Sequence, residues 1–277
     1  LHSLSNFFGD VGAVQNDTQP FLLMKNLICL GFVLSALNAL GQLMPIKADV
    51  YEWRNAAVSK KNKIEQRQIL EGTTPAFKYM KIHAETLQPK QGSKSHQHTQ
   101  EELMIVKEGE LTMTLNGKTE TLEAGSIALI MPGDVHGFEN KSGESVTYYV
   151  MNYESVEPVD LERGAKAGGS LVVHWNQVAF KTHDKGGRRN FFDRATAHSK
   201  RFEMHVTTLN EGLMSHPPHT HQAAEILLLT DKQAQESING EWIKADVGDI
   251  IFLQSNVPHA IQNISKGACT YFAFQFE

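Results

Sequence analysis

From residue 103 to residue 150 short apolar runs alternate with turn formers. Leu103-Met-Ile-Val106, Leu111-Thr-Met-Thr-Leu115, Ser126-Ile-Ala-Leu-Ile130 and Val146-Thr-Tyr-Tyr-Val150 are separated by Gly109, Asn116-Gly117, Gly125, Pro132-Gly133 and Ser142-Gly143. Runs of this length with turn residues between them predict strands, and their spacing predicts an antiparallel sandwich or barrel. Asn116-Gly117 between two such runs predicts a type I′ hairpin, because both central residues must take positive φ.

The pattern occurs twice. His96, His98, Glu102, His136 and Asn140 reappear as His219, His221, Glu225, His259 and Asn263, an offset of 123 (219 − 96). Asn116-Gly117 and Gly125 reappear as Asn239-Gly240 and Gly248. Further upstream the offset is 122 (175 − 53): Trp53 with Trp175, Arg67 with Arg189, Glu71 with Asp193, and Lys78–Leu87 with Lys200–Leu209. The chain therefore reads as two copies, 42–160 and 170–277, joined by a Gly/Ala-rich charged segment at 160–169. Met104, Met113, Met131 and Met151 in the first copy, and Phe252, Phe272 and Phe274 in the second, are expected to pack cores.

The N-terminal segment has a different character. Residues 1–23 lack periodicity and read as an extension upstream of a start at Met24. Lys25, the apolar run Leu27–Leu37 and the small-x-small Ala39-Leu-Gly41 then predict a signal peptide over 24–41 and an exported, periplasmic or secreted protein. The run is too short for a comfortable membrane span. Cleavage would remove Cys29 and leave Cys269 as the lone thiol. A net charge of −5 offers no basic footprint for nucleic acid.

Candidate chemistry sits on the repeated residues. On a strand the His-x-His spacing of His96 and His98 points both imidazoles to one face, and Glu102 keeps the same parity. His136 follows a Pro-Gly turn and can arrive from a neighbouring strand. Three imidazoles and a carboxylate suit a divalent first-row metal with positions left open. His219, His221, Glu225 and His259 repeat the set. Open positions would admit a bidentate carboxylate, or a substrate oxygen with water or O₂.

These motifs, His-x-His-xxx-Glu and Pro-Gly-xx-His-xxx-Asn, resemble the paired motifs of the cupin superfamily, and their duplication resembles a bicupin. The resemblance implies an all-β fold of two tandem jelly-roll (cupin) β-barrels, each with a metal in its mouth. It carries the ligand role onto His96, His98, Glu102 and His136, and onto His219, His221, Glu225 and His259. The implied cofactor is a divalent metal ion, manganese or iron first, with nickel, copper and zinc as further choices. The second copy is loosely similar to ureidoglycine aminohydrolase, and the ligand pattern equally resembles oxalate decarboxylases and cupin dioxygenases. The second copy departs from the motif with Lys232 at the position of Gly109 and Gln254-Ser-Asn256 in place of Pro-x-Gly. The expected function is metal-dependent catalysis on a small polar, oxygen-rich substrate; the alternative is a bicupin that binds a sugar or organic acid without turnover. Either a monomer or a homo-oligomer is compatible with two tandem copies.

Four recurring residues have two readings each. Arg67 and Arg189 could clamp a substrate carboxylate or pair with Glu71 and Asp193, the ion pair being preferred. His83 and His205 could move protons, but they alternate with the core-like Met80, Ile82 and Phe202, Met204, which predicts that they face outward. His216, before Pro217-Pro218, sits near the second ligand cluster and could either support the ligands there or be simply a loop residue.

Overall fold

The structure is a computed structural model and describes residues 43–61 and 64–277; the segments 1–23 and 24–41 lie outside the described residues. The first half contains β1 (Asp49–Tyr51), β2 (Ala57–Lys61), β3 (Ile64–Gly72), β4 (Phe77–Leu87), β5 (Glu101–Glu108), β6 (Glu110–Leu115), β7 (Lys118–Glu123), β8 (Ile127–Ile130), β9 (His136–Glu139) and β10 (Val146–Ser155). A short helix, α1 (Leu161–Lys166), links it to β11 (Leu171–Val173), β12 (Lys181–His183), β13 (Gly186–Arg194), β14 (Phe202–Leu209), β15 (Ala224–Asp231), β16 (Ala234–Ile238), β17 (Glu241–Ala245), β18 (Ile250–Leu253), β19 (His259–Asn263) and β20 (Cys269–Phe276). Where the Gly/Ala composition suggested a linker, Asp160 caps α1 by accepting from the Arg163 amide at 2.8 Å. Among the described residues no helix is long and apolar enough to cross a membrane.

Each half forms an antiparallel barrel from a seven-stranded and a three-stranded sheet. The first uses β11-β8-β5-β10-β4-β3-β2 with β7-β6-β9, and the second β1-β18-β15-β20-β14-β13-β12 with β17-β16-β19. The expected hairpins form: Asn116 and Gly117 have φ of 49° and 82°, and Asn239 and Gly240 of 54° and 90°. The departures in the second copy keep the geometry of the first. Lys232 takes φ of 60° where Gly109 takes 82°, and Asn256 takes 60° where Gly133 takes 83°.

The two seven-stranded sheets pack face to face, so their strands are buried on both sides. On β4, Met80, Ile82 and Ala84 join Met204, Val206, Phe272, Phe274 and Phe276 in one core between the barrels. Leu87, Met104, Val106, Met113, Tyr148 and Val150 fill the interior of the first barrel, and Leu209, Leu227, Leu229, Ile251 and Tyr271 that of the second. His83 alternates with the first set and therefore faces the barrel lumen. The same holds for His205. The expectation that they face outward fails because it assumed one core where the fold has two.

The halves also exchange strands. β1 pairs with β18 of the second barrel, and β11 pairs with β8 of the first. The exchange places Trp53 on Gly248 and Trp175 on Gly125. A Cβ on Gly125 would lie 2.5 Å from the Trp175 ring, and one on Gly248 would lie 3.2 Å from Trp53. The Trp53 amide donates to Asp249 Oδ1 at 2.7 Å, and the Trp175 amide to Ser126 Oγ at 3.1 Å.

Arg67 and Arg189 belong to this clasp. Arg67 lies 4.5 Å from the Trp53 ring centroid and donates to the Trp53 carbonyl at 3.0 Å; Arg189 lies 4.6 Å from the Trp175 ring and donates to the Val178 carbonyl. Among the described residues neither arginine pairs with Glu71 or Asp193, and neither lines the cavity at a His cluster. In register Arg67 sits opposite Ala84 and Arg189 opposite Val206, which puts both on the face between the barrels. Asp193 pairs instead with Arg201 at 2.9 Å, and Glu71 accepts from Gln68 at 2.8 Å.

Glu101, fully buried on β5, ties the halves together. Its carboxylate accepts from Thr196 Oγ1 at 2.9 Å and from the amides of His198 at 2.8 Å and Ala197 at 3.2 Å. Burial nonetheless pushes its pKa from 4.5 up to about 7. The folded carboxyl thus holds its proton more tightly than the unfolded one, so its contribution to stability falls as pH rises from about 4.5 to about 7. Glu101→Gln in the metal-free protein is expected to lose that decline, and to cost about 1–3 kcal/mol at the acid end by turning an amide on a backbone donor. Denaturant midpoints across this pH range measure both; an unchanged slope in the variant would refute the assignment.

Candidate metal centres

Backbone pairing brings the first and last imidazole of each set together. His96 and His136 exchange amide–carbonyl hydrogen bonds at 2.9 Å, and His219 and His259 do so at 3.1 and 3.0 Å. The coordinating nitrogens of His96, His98 and His136 lie within 4.8 Å of one another, as do those of His219, His221 and His259. Ring centroids repeat between halves: His96–His136 at 4.4 Å and His98–His136 at 5.0 Å, against 4.5 and 4.8 Å in the second. Glu102 and Glu225 join from β5 and β15, each buried beside two of its three imidazoles.

The hydrogen bonds fix which nitrogen is free. Nδ1 of His96, His98 and His136 meets the carbonyls of Lys94, Gln100 and Asp134 at 3.0 Å, and Nδ1 of His221 and His259 meets those of Ala223 and Val257 at 2.8 Å. A carbonyl only accepts, so these rings carry their proton on Nδ1 and present a lone pair at Nε2. That lone pair faces a carboxylate: His98 Nε2 is 3.3 Å from Glu102, and His221 and His259 Nε2 are 3.1 and 3.2 Å from Glu225. Two acceptors hold such a distance only with a cation or proton between them. Buried His136 Nε2 and Glu102 Oε1, 3.8 Å apart, have no hydrogen-bond partner among the described residues. The donor set therefore fits a divalent metal bound through Nε2 and carboxylate oxygen.

Without a metal the electrostatics show the same strain. Hydrogen bonding to Glu102 and Glu225 raises His98 and His221 above the ordinary imidazole range. Burial lowers His136 and His219, the latter also through His216 and His259 beside it. Burial works to raise Glu225, but His221 and His259 outweigh it and hold the carboxyl below its usual range.

Each centre opens into a cavity, of ≈ 330 Å³ in the first half and ≈ 270 Å³ in the second. In the first, Asn152 donates to Glu102 Oε2 at 2.8 Å and fixes the carboxylate. Gln275, at the matching position, lies 3.4 Å from His221 Nε2. Glu85 lies 3.6 Å from His83 Nε2 and accepts from the Tyr148 hydroxyl at 2.5 Å and from Gln66 at 3.2 Å. The second half rebuilds this arrangement from the other side. His205 Nδ1 meets Glu203 at 2.9 Å, and Arg188 donates to that same carboxylate at 2.7 Å. An imidazole–carboxylate pair thus stands in each lumen, its acid two residues after the histidine in one half and two before it in the other.

Arg188, one position and one face from Arg189, lines the second cavity together with Lys185. His216 also reaches this cavity, its ring 3.9 Å from that of His219. Sequence reasoning missed Asn152 and Gln275, Glu85, Glu203, Lys185 and Glu236. Differences at matched positions were the available signal: Glu236 stands where the first half has Met113 (236 − 123). Burial, with Glu225 nearby, raises the Glu236 pKa well above the usual carboxylate range.

No curated protein sequence matches the chain. Among solved structures, a Pseudomonas aeruginosa protein described as glyoxylate-induced superposes with TM-score 0.67 at 19% identity, covering 86% of this chain and 92% of that one. AerE from Microcystis aeruginosa gives 0.62 at 17%, covering 80% and 97%. Lactobacillus farciminis oxalate decarboxylase in a formate complex gives 0.65 at 12%, covering 83% and 86%. At these identities the likeness is one of fold. The cupin domain family matches twice, over residues 83–152 and 205–274, the two stretches that carry the His clusters and the lumen histidines. The chain belongs to the cupin domain family, with two copies in tandem.

Proposed function

We propose that the protein is a metal-dependent bicupin enzyme acting on a small, carboxylate-bearing, oxygen-rich substrate. The observation that carries this reading is the set of Nε2 lone pairs turned on a carboxylate at the edge of a cavity with its own imidazole–carboxylate pair. His96, His98, Glu102 and His136, and His219, His221, Glu225 and His259, would hold the ions, with manganese or iron suited to the mixed imidazole–carboxylate set. A bound ion would supply Lewis-acid or oxygen-activating chemistry.

The chain's own residues do the rest. Asn152 fixes Glu102, so that carboxylate keeps one orientation. Glu203 accepts from His205 Nδ1, which leaves Nε2 to take or return a proton in the lumen. Arg188 and Lys185 line the second cavity and favour an anionic ligand there. Leu209, Leu227, Ile261 and Ala273 form the apolar part of a wall that Thr207, Ser215 and Gln275 otherwise keep polar.

Metal analysis of purified protein is expected to give close to two equivalents per chain. Turnover is then sought against small carboxylates, ureides and uronates. Binding of these compounds with no turnover of any would replace catalysis by ligand binding, and absence of metal after reloading would overturn the reading.

A further inference from the structure

Glu236 is fully buried on β16; the Ala260 backbone is its one polar neighbour of note, and neither carboxylate oxygen makes a hydrogen bond of ordinary geometry. In register it lies opposite Ile261, two residues along from the Ile238–His259 pair. Directly opposed residues share a face, so Glu236 points into the lumen that His259 enters. It lines the second cavity together with Lys185, Arg188 and the metal-site residues. At the same place in the first barrel Met113 is packed into the apolar interior, so the fold has no need of an acid there. An unpaired buried carboxyl opposes folding, and groups of this kind are kept where a ligand completes them.

We propose that Glu236 reads the ligand of the second cavity, and that this ligand is a small carboxylate that also carries a hydroxyl or amino group. The inference rests on the small-carboxylate reading given above. The ligand's carboxylate goes to the metal site and the basic wall of Arg188 and Lys185, and its hydrogen-bond donor goes to a Glu236 oxygen. A carboxyl oxygen accepts from a hydroxyl or an amine in either protonation state. A plain carboxylate such as acetate has no donor and leaves Glu236 unpaired. A site built around a substrate hydroxyl rejects the analogue without it, because the buried polar group then goes unsatisfied. A cavity of ≈ 270 Å³ restricts the ligand to few heavy atoms.

The test compares glycolate with acetate by calorimetric titration of manganese-loaded wild type, Glu236→Met and Glu236→Gln, and records Tm of each metal-free protein. Wild type is expected to prefer glycolate by at least about tenfold, Glu236→Gln to keep part of that preference, and Glu236→Met to bind both acids alike. Metal-free Glu236→Met is expected to melt higher by at least about 2–4 °C, since an apolar side chain replaces an unpaired buried acid. A preference that survives in Glu236→Met overturns the proposal and leaves the small-carboxylate reading standing. So does a lower Tm for that variant, which would make the carboxyl a brace of the fold. If loaded wild type binds neither acid, the small-carboxylate reading itself falls and takes this inference with it.

Discussion

His219→Ala is expected to empty the second metal site and to reduce turnover by more than about 100-fold, given that even residues supporting metal ligands are worth 10–100-fold. His96→Ala is expected to empty the first site and to leave most of the turnover. The contrast comes from what surrounds each centre. The second cavity adds His216, Lys185, Arg188 and Glu236 to its lumen histidine, whereas the first offers Tyr79, Gln100 and the Glu85–His83 pair. The turns that support the second ligand set are intact despite their altered residues, since Lys232 and Asn256 both reproduce the left-handed backbone of the first half. Each variant should therefore fold and lose about one equivalent of metal. Metal content and rate on the two single variants decide the matter. If His96→Ala alone abolishes activity and His219→Ala leaves metal and rate unchanged, the assignment of the halves is reversed.

Phe77→Ala is expected to cost about 3–5 kcal/mol and to destabilise both halves at once. Phe77 is fully buried between the barrels. Its ring stacks on Phe276 of the second half at 4.6 Å and tilts against Tyr153 of the first at 4.7 Å. The core between the seven-stranded sheets draws on both halves, and β1 and β11 each complete the other half's sheet. Neither half can then unfold without exposing the shared core, so residues 43–277 are expected to unfold in one transition. Denaturant unfolding followed by tryptophan fluorescence and by circular dichroism should give coincident curves for wild type and variant. Two separated transitions, with only one shifted by Phe77→Ala, would show that the halves are independent.

Much of this protein was legible in the residues. Short apolar runs between Gly, Pro and Asn-Gly turns dictate antiparallel strands, because only a few backbone conformations join such runs. The duplication isolates the residues that recur, and the even spacing of His96, His98 and Glu102 anticipated their convergence, although only Glu102 lies on a strand and the two histidines sit in the loop before β5. The family motifs then supplied the barrel and pointed to the eight residues that the fold gathers into two candidate metal centres.

What the sequence could not decide was which core each face addresses. A strand buried on both sides reads as apolar throughout, and alternation separates its faces without naming their destinations. That is why His83 and His205 read as outward, although the apolar residues alternating with them serve the core between the barrels. The same ambiguity exchanged Arg189 for Arg188: they are adjacent in sequence, but register with β14 sends one to the clasp with Trp175 and the other to the cavity. The recurrence of Trp53, Arg67 and Gly125 proved to be the joint between halves, because an exchanged strand is a long-range pairing that no local pattern encodes. Glu236 carried no signal of its own, and only closure of β16 over the second barrel left its carboxylate oxygens buried in the lumen. Periodicity fixes faces and spacing; closure of the sheets decides what each face meets.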